Sequence, residues 1–383
     1  MLRGSAGGGG LSSGVLRRTP VISSLVAVLL SATVSAAAST GLAVLAEPVL
    51  ATPDTGPSAR YSADDPTASV LAISIDGMNP DALRILGTRR TPHLHDLMAS
   101  GASTLNARTE HELTLTLPNH TGMVTGRRIE ATTGGHGVTW NDDRRRPGTV
   151  QAAAGERVES VFTAVNAAGG STALFASKTK FSLWKRSWPA SIDMTRIRLD
   201  NTVLARSVRR DLLDEDRAFR FVHLSLPDAV GHERGFMSRA YLRAVEQVDV
   251  LVGQMVDTVT SDRELAASTA IILTSDHGGR GETHSDPTRL DNYRVAFMVA
   301  GPGVAVGADL YELNPDDYKN PGNRRTTYDQ ARQPVRNGDL ANLALDLLDL
   351  AAVPGSEHDQ DLGLDVAEPT DPTSDPTSEQ EQP

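Results

Sequence analysis

Three short, largely apolar segments constrain the fold of this 383-residue chain more than any other feature. They are rich in branched residues and lie far apart, at Ser69–Ile75, Phe219–Leu226 and Ala270–Thr274. Runs of this kind are typical of strands that are buried on both faces of a parallel sheet. Since parallel strands need long crossover connections, the chain between them should form helices.

Segments with helical spacing do separate these strands. Helices are predicted at Pro92–Ser100, Val158–Ala168, Ser238–Thr260 and Asn337–Ala352, and further strands at Ala173–Ala176 and Val295–Ala300. This alternation predicts an α/β sandwich with a mostly parallel sheet. Ligands of such sheets bind outside the carboxyl ends of the strands, so the residues at those ends are the first candidates for a functional site.

Aspartate, in two cases together with histidine, follows each of the three apolar segments. The first runs into Asp76, the second into Asp228 and His232, and the third into Asp276 and His277, with His284 shortly after. Both residue types are zinc ligands, and the absence of cysteine excludes thiolate sites and a thiol nucleophile. Each pattern alone has an ordinary explanation, such as a turn at Asp-Gly. Their recurrence at three strand ends predicts a metal site.

A threonine lies at the start of another predicted helix. Pro118 suits a first helical turn, so Thr116 is expected just before that turn, near free backbone N–H groups. Such a position favours a phosphate group and a developing alkoxide. Thr116 is therefore a candidate nucleophile, and the alternative is that it only caps the helix.

Taken in order, these motifs resemble the alkaline phosphatase superfamily, and within it the type I phosphodiesterase/nucleotide pyrophosphatase branch. The resemblance rests on Asp76-Gly77, Thr116-Leu117-Pro118-Asn119-His120, Thr125-Gly126, His136-Gly137-Val138, Asn141, Asp228-x-x-x-His232 and Asp276-His277-Gly278. It covers about residues 67–355. It implies an alkaline-phosphatase-like three-layer α/β/α sandwich and a phosphoric ester hydrolase.

The resemblance also implies a role for each matched residue. Two Zn²⁺ ions, or other divalent metals, are expected: one held by Asp76, Asp276, His277 and the nucleophile Thr116, the other by Asp228, His232 and His284. Asn141 would bind a non-bridging phosphate oxygen. In the nucleotide pyrophosphatase branch the last histidine lies much further along the chain, which makes His358 the rival of His284.

Two lysines bear on the type of ester. Lys178 and Lys180 follow the predicted strand Ala173–Ala176 and resemble a lysine pair of threonine-type alkaline phosphatases and phosphonoacetate hydrolases in this superfamily. Fixed cations favour the doubly charged monoester over the diester. The nucleophile segment favours a phosphodiesterase/nucleotide pyrophosphatase, whereas the lysines favour a phosphomonoesterase or phosphonate hydrolase. The alternative is that both lysines are merely solvated.

Other functions fit the chain less well. A sulfatase of the superfamily would need a cysteine or serine motif that the sequence lacks, and a phosphoglycerate-mutase-like enzyme would use serine. A non-catalytic surface protein with the same fold remains the remote alternative. The net charge of −11 argues against nucleic-acid binding, and we expect a small phosphorylated substrate as the partner. No feature points to a stable protein partner.

Both ends of the chain differ in composition from the middle. Residues 1–46 contain Arg17-Arg18 followed by an uncharged stretch, which predicts a signal peptide or an N-terminal anchor and hence a secreted or extracytoplasmic protein. Residues 47–66 are predicted to be a linker and residues 67–355 the catalytic domain. Residues 356–383, which are acidic and repeat Asp-Pro-Thr-Ser, are predicted to be a disordered tail.

Overall fold

A computed structural model describes residues 67–368, and the predicted signal peptide and the predicted linker lie outside this range. Within it, eight strands form one sheet: β1 (Ser69–Ile75), β2 (Ala102–Arg108), β3 (Thr172–Ala176), β4 (Met194–Ile197), β5 (Phe219–Leu224), β6 (Thr269–Thr274), β7 (Arg294–Ala300) and β8 (Ala308–Asp309).

Thirteen α-helices connect these strands in the described part of the chain. They are α1 (Pro80–Leu86), α2 (Pro92–Ala99), α3 (Thr116–Thr125), α4 (Val150–Ala154), α5 (Val161–Ala167), α6 (Ser182–Ser187), α7 (Asn201–Asp214), α8 (Leu226–Arg234), α9 (Arg239–Ser261), α10 (Arg263–Ser268), α11 (Leu290–Tyr293), α12 (Leu310–Leu313) and α13 (Leu340–Asp346). None of them is long and apolar enough to cross a membrane.

The sheet has the strand order β4-β3-β5-β1-β6-β7-β2-β8. β1 pairs in parallel with β5 on one side and β6 on the other, and β7 alone runs antiparallel to its two neighbours. The mostly parallel sheet predicted from the sequence is therefore confirmed. Its centre consists of the three strands that the predicted metal ligands follow.

Both faces of the sheet are covered by helices. Along β1, Val70 and Ala72 point into one apolar core, whereas Leu71, Ile73 and Ile75 point into the other. The first core includes residues of α3, α5 and α13, and the second includes residues of α1, α2, α7 and α9. Side chains of successive strand residues alternate between faces, so a strand covered on both sides must be apolar throughout.

The folded part extends further than the sequence predicts. The prediction of a disordered tail from residue 356 is wrong for residues 356–368, because Leu364 and Val366 are buried in the core. The backbone N–H of His358 also donates to the carbonyl of Gly126 at 2.9 Å. Residues 369–383 lie outside the described range.

Two predicted elements end earlier in the structure. The second apolar segment leaves the sheet at Leu224, because Leu226 and Pro227 already begin α8. The closing helix, predicted to reach Ala352, is a 3₁₀ turn at Asn337–Asp339 followed by α13, and Asp349 just beyond it has φ 55°. The turn at Asp349 directs the chain back toward the core instead of prolonging the helix.

Candidate active site

The carboxyl ends of β5, β1 and β6 bring the predicted metal ligands together. Asp76 follows β1 directly, Asp228 lies in the first turn of α8 after β5, and Asp276 and His277 follow β6. All four are buried. Because neighbouring strands lie about 5 Å apart, groups at the ends of three adjacent strands can share one site.

The first cluster consists of Asp76, Asp276 and His277, whose ligand atoms all lie within 4.8 Å of one another. His277 Nε2 is 3.1 Å from Asp276 Oδ2 and 3.5 Å from Asp76 Oδ1. Its Nδ1 donates to the carbonyl of Gly278 at 2.8 Å. The ring therefore carries its proton on Nδ1 and presents the lone pair of Nε2 to the carboxylates.

The second cluster consists of Asp228, His232 and His284, within the same 4.8 Å limit. The i, i+4 spacing in α8 places His232 Nε2 3.3 Å from Asp228 Oδ1, and His284 Nε2 lies 3.6 Å from that oxygen. His284 Nδ1 donates to the carbonyl of Thr114 at 2.7 Å, which again leaves Nε2 free to face the cluster. The rival, His358, lies elsewhere and contacts Glu110.

The two clusters adjoin each other. His277 Nε2 is 3.9 Å from Asp228 Oδ1, and the rings of His277 and His284 stack with centroids 3.5 Å apart. Burial lowers the pKa of His277, and burial together with His277 lowers that of His284 to about 3. Both imidazoles are therefore neutral at pH 7, the form that binds a metal.

The buried ligand atoms fit a divalent cation. Among the described residues, four atoms of the two clusters are buried without a hydrogen-bond partner: Asp76 Oδ1, Asp228 Oδ1, Asp276 Oδ2 and His277 Nε2. Buried polar atoms are normally satisfied, and a group of unsatisfied oxygen and nitrogen acceptors calls for a bound ion. Carboxylate oxygens and imidazole nitrogens are the donor set that zinc binds.

The carboxylates differ in their affinity for protons. Burial opposes ionisation of Asp76, but Lys178 and His223 lower its pKa well below the usual range. Burial and Asp76 oppose ionisation of Asp228, yet the close contact with His232 and the charge of Lys178 lower its pKa to about 2. Burial and the other two carboxylates raise the pKa of Asp276 well above its usual value. A cation in the site would relieve this repulsion.

Thr116 is buried and is the first residue of α3, whereas the sequence predicts it just before the helix. Leu115 takes the N-cap position, so the alternative in which Thr116 caps the helix is not what the structure shows. The Asn141 side-chain carbonyl accepts from Leu117 N at 3.0 Å and from Lys180 Nζ at 2.8 Å. Asn141 and Lys180 therefore meet at the N-terminus of the helix that carries Thr116.

The ammonium group of Lys178 lies inside the site, between the two clusters. Its Nζ is 2.5 Å from Asp76 Oδ2 and 2.6 Å from Asp228 Oδ2, so one ammonium group contacts both clusters. Burial alone would lower the pKa of Lys178, but these two carboxylates raise it above the ordinary value. Lys178 is thus a fixed positive charge between the clusters.

Sequence reasoning missed the partners that hold these groups. His223, in β5, donates from Nε2 to Asp76 Oδ2 at 2.9 Å. His120 donates from Nδ1 to the carbonyl of Thr116 and accepts at Nε2 from Ser74 Oγ, both at 2.8 Å. A histidine inside an apolar strand was the one signal that could have pointed to His223, and its partner becomes evident only from the strand register.

Comparisons with known proteins identify the family of the chain. The family model for type I phosphodiesterase/nucleotide pyrophosphatase matches residues 70–358. GPI ethanolamine phosphate transferase 1 of Schizosaccharomyces pombe is 25% identical over 113 residues, 30% of this chain and 12% of that protein. Ectonucleotide pyrophosphatase/phosphodiesterase family member 1 of Mus musculus is 26% identical over 222 residues, 54% of this chain and 24% of that protein. The chain thus spans a quarter or less of these relatives' length.

Solved structures show the same fold. Murine ectonucleotide pyrophosphatase/phosphodiesterase 5 superimposes with a TM-score of 0.58 at 15% identity, covering 77% of this chain and 99% of that one. An inactive threonine-to-alanine variant of the same murine protein, in complex with AMP, superimposes with a TM-score of 0.57.

Proposed function

Because the chain belongs to the type I phosphodiesterase/nucleotide pyrophosphatase family, we propose that it is a metal-dependent phosphoric ester hydrolase that acts through a phosphothreonine intermediate on Thr116. One observation carries the proposal. Four buried ligand atoms without hydrogen-bond partners converge from two adjoining clusters, and one of them, Asp276 Oδ2, lies 3.5 Å from Nδ1 of His120 in the helix that Thr116 begins. Their charges and lone pairs suit a divalent metal.

We further propose two zinc sites. Asp76, Asp276 and His277, together with the Thr116 hydroxyl, would hold one ion, and Asp228, His232 and His284 the other. Two such ions, when bound, supply Lewis-acid stabilisation of the entering and leaving oxygens of an in-line displacement. The neutral imidazoles and the low pKa of Asp228 support this assignment, since both groups are in the metal-binding form at pH 7.

The side chains of this protein carry the proposed steps. The Thr116 oxygen forms a bond to phosphorus, the bond from phosphorus to the leaving oxygen breaks, and the leaving group departs with a proton. Water then attacks phosphorus and regenerates the Thr116 hydroxyl with release of phosphate or a phosphate monoester. The backbone N–H of Thr116, at the start of α3, and the side-chain NH2 of Asn141 would orient the non-bridging oxygens.

The proposed substrates are small phosphorylated compounds. The AMP complex of the murine relative supports a nucleotide as part of the substrate, and the phosphodiesterase/nucleotide pyrophosphatase family supports a phosphodiester or pyrophosphate bond. A phosphomonoesterase or phosphonate hydrolase is the second candidate, supported by the positive charges of Lys178 and Lys180 in and beside the site. A non-catalytic protein with the same fold is the remote alternative.

Substitution of Thr116 tests the proposal directly. Thr116→Ala should abolish hydrolysis of p-nitrophenyl phosphate and bis-p-nitrophenyl phosphate while zinc content and melting temperature stay as in the native protein. Thr116→Ser is the matched control, because it keeps the hydroxyl and should retain turnover. Full activity of Thr116→Ala would refute the nucleophile assignment. Chelation by EDTA should remove activity from the native protein, and added zinc should restore it.

Export is also proposed, from the sequence of the N-terminal part. Residues 1–46 would direct the chain out of the cytoplasm, either as a cleaved signal peptide or as an anchor, and residues 47–66 would link them to the catalytic domain. Mass spectrometry of the mature protein's N-terminus would distinguish the two. An intact N-terminus on a protein found in the cytoplasm would contradict export altogether.

A further inference from the structure

A single aromatic ring lies behind the second cluster. Phe236, between α8 and α9, is 97% buried, and its backbone N–H donates to the carbonyl of Gly281 at 2.6 Å. None of the motifs read from the sequence includes it. Its surroundings indicate a role that apolar packing alone does not explain.

Three glycines make room for this ring, and each lies next to a predicted metal ligand. Gly77 follows Asp76, Gly231 precedes His232, and Gly279 lies two residues after His277. A β-carbon placed on these glycines would lie 3.1, 2.5 and 2.4 Å, respectively, from the nearest carbon of Phe236. Three ligand-bearing segments, two loops and helix α8, therefore close on one side chain, and any larger residue at Gly231 or Gly279 would displace it.

The ring also contacts two ligands of the second cluster. Phe236 meets His232 edge to face with centroids 5.3 Å apart, and His284 in the same manner at 5.6 Å. Aromatic pairs prefer this geometry and distance. The His232 side chain is 48% exposed, and its contacts with Asp228 and His284 are contacts within the second cluster itself, so Phe236 is the group outside the cluster that packs against its ring.

We propose that Phe236 is a positioning residue, which orients the imidazoles of His232 and His284 so that both can bind one divalent metal. The inference rests on the proposed metal-dependent function. Removing the ring would leave both histidines freer to rotate and would open space between the three ligand-bearing segments. Substitutions behind metal ligands typically weaken metal affinity by about 10–100-fold.

The test is Phe236→Leu, with Phe162→Leu as the matched control. Phe162 is equally buried but packs against Trp184, Trp188 and Phe219, away from the clusters. Zinc binding is measured on the full chain by equilibrium dialysis with metal analysis, and the ligand geometry by the visible absorption of bound Co²⁺. Phe236→Leu should weaken one of two zinc sites by about 10–100-fold and alter the Co²⁺ spectrum, whereas Phe162→Leu should lower only the melting temperature.

A second variant approaches the ring from its other side. Gly231→Ala keeps the phenylalanine at position 236 but adds a methyl group, and the ring must shift to make room for it. It should weaken the same zinc site, and it should do so less in a Phe236→Ala background, where the methyl group has room. This comparison remains informative if Phe236→Leu does not fold.

The outcomes separate this inference from the proposed function. A native protein that binds no zinc or Co²⁺ would overturn both. A native protein with two zinc sites, together with unchanged zinc affinity in Phe236→Leu or equal effects of Gly231→Ala in both backgrounds, would overturn the role of Phe236 alone. A selective loss of one site supports it.

Discussion

Replacing His358 by alanine should lower the free energy of unfolding by about 3 kcal/mol at pH 7 without loss of zinc. His358 Nε2 lies 2.9 Å from Glu110 Oε2, and both side chains are buried. Burial opposes ionisation of Glu110, but His358, Arg336 and a hydrogen bond from Tyr328 lower its pKa below 4.5. Conversely, Glu110 raises the pKa of His358 above 6.5 despite burial.

The magnitude follows from the fate of Glu110. Without His358, the buried carboxyl group becomes stable only when protonated. At pH 7, about 2.5 units above its ordinary pKa of 4.5, protonation costs about 3 kcal/mol, at about 1.4 kcal/mol per unit. This agrees with the roughly 3–5 kcal/mol lost when one partner of a buried ion pair is removed.

The pH dependence has a defined sign. The native contribution of Glu110, whose pKa is lowered, is present above pH 4.5 and is lost as the pH falls through its folded pKa. The contribution of His358, whose pKa is raised, is present below pH 6.5 and is lost as the pH rises through its folded pKa. In the variant, keeping the buried Glu110 protonated costs more free energy with each pH unit above 4.5, so the stability difference between native protein and variant should grow from pH 4.5 to 6.5. Above pH 6.5 the native protein also loses the contribution of His358, and the difference should level off.

Urea unfolding followed by tryptophan fluorescence provides the assay, at several pH values and with zinc content measured in parallel. Glu110→Gln in the His358→Ala background is the control. Glutamine needs no proton, so the double variant should regain part of the lost stability at pH 7. A His358→Ala protein within about 0.5 kcal/mol of the native protein would refute the ion-pair argument. Loss of a zinc ion with unchanged stability would restore His358 as a rival ligand.

Three further predictions concern the site and the chain end. His284→Ala should lose about one zinc per chain and most turnover, and full zinc content would contradict its place in the second cluster. Lys178→Ala/Lys180→Ala should lower kcat/KM for p-nitrophenyl phosphate about 10–150-fold, as expected for the loss of charge-assisted contacts. The value of kcat/KM for bis-p-nitrophenyl phosphate should fall much less, and equal losses on both substrates would argue against a phosphate-binding role. Removing residues 369–383 should leave the melting temperature unchanged, because that segment offers little apolar surface. Removing residues 357–368 as well should unfold much of the protein, since burial of Leu364 alone contributes about 1.5–3 kcal/mol.

The centre of the fold and its strand-end residues could be predicted because their signals are local. A strand covered on both faces must be apolar at every position, and β1 has the predicted bounds. The predicted ligands stand directly after such strands, where strand order alone brings them together. The edge strand β4 and β2, next to the other edge, escaped prediction, because they are partly exposed and contain polar residues that break any apolar run.

Long-range partners could not be predicted for a different physical reason. Nothing near His223 in the sequence indicates that its ring meets Asp76, since that contact depends on the register between β5 and β1. The sequence misplaces the C-terminal boundary because the acidic composition of residues 356–368 outweighs apolar residues such as Leu364 and Val366 in a count of charges. In the structure those two, Leu364 and Val366, reach the core.

The central strand pairing has a consequence for the order of folding events. Ile73 pairs with Val222 and with Leu273, residues about 150 and 200 positions further along the chain. Contacts of such high sequence separation form slowly, because closing long loops is entropically unfavourable before the contacts stabilise them. No short fragment of the chain contains a complete cluster with Asp76. A metal ion in the first cluster therefore cannot act as an early template, and it should bind there only after the middle of the sheet has formed.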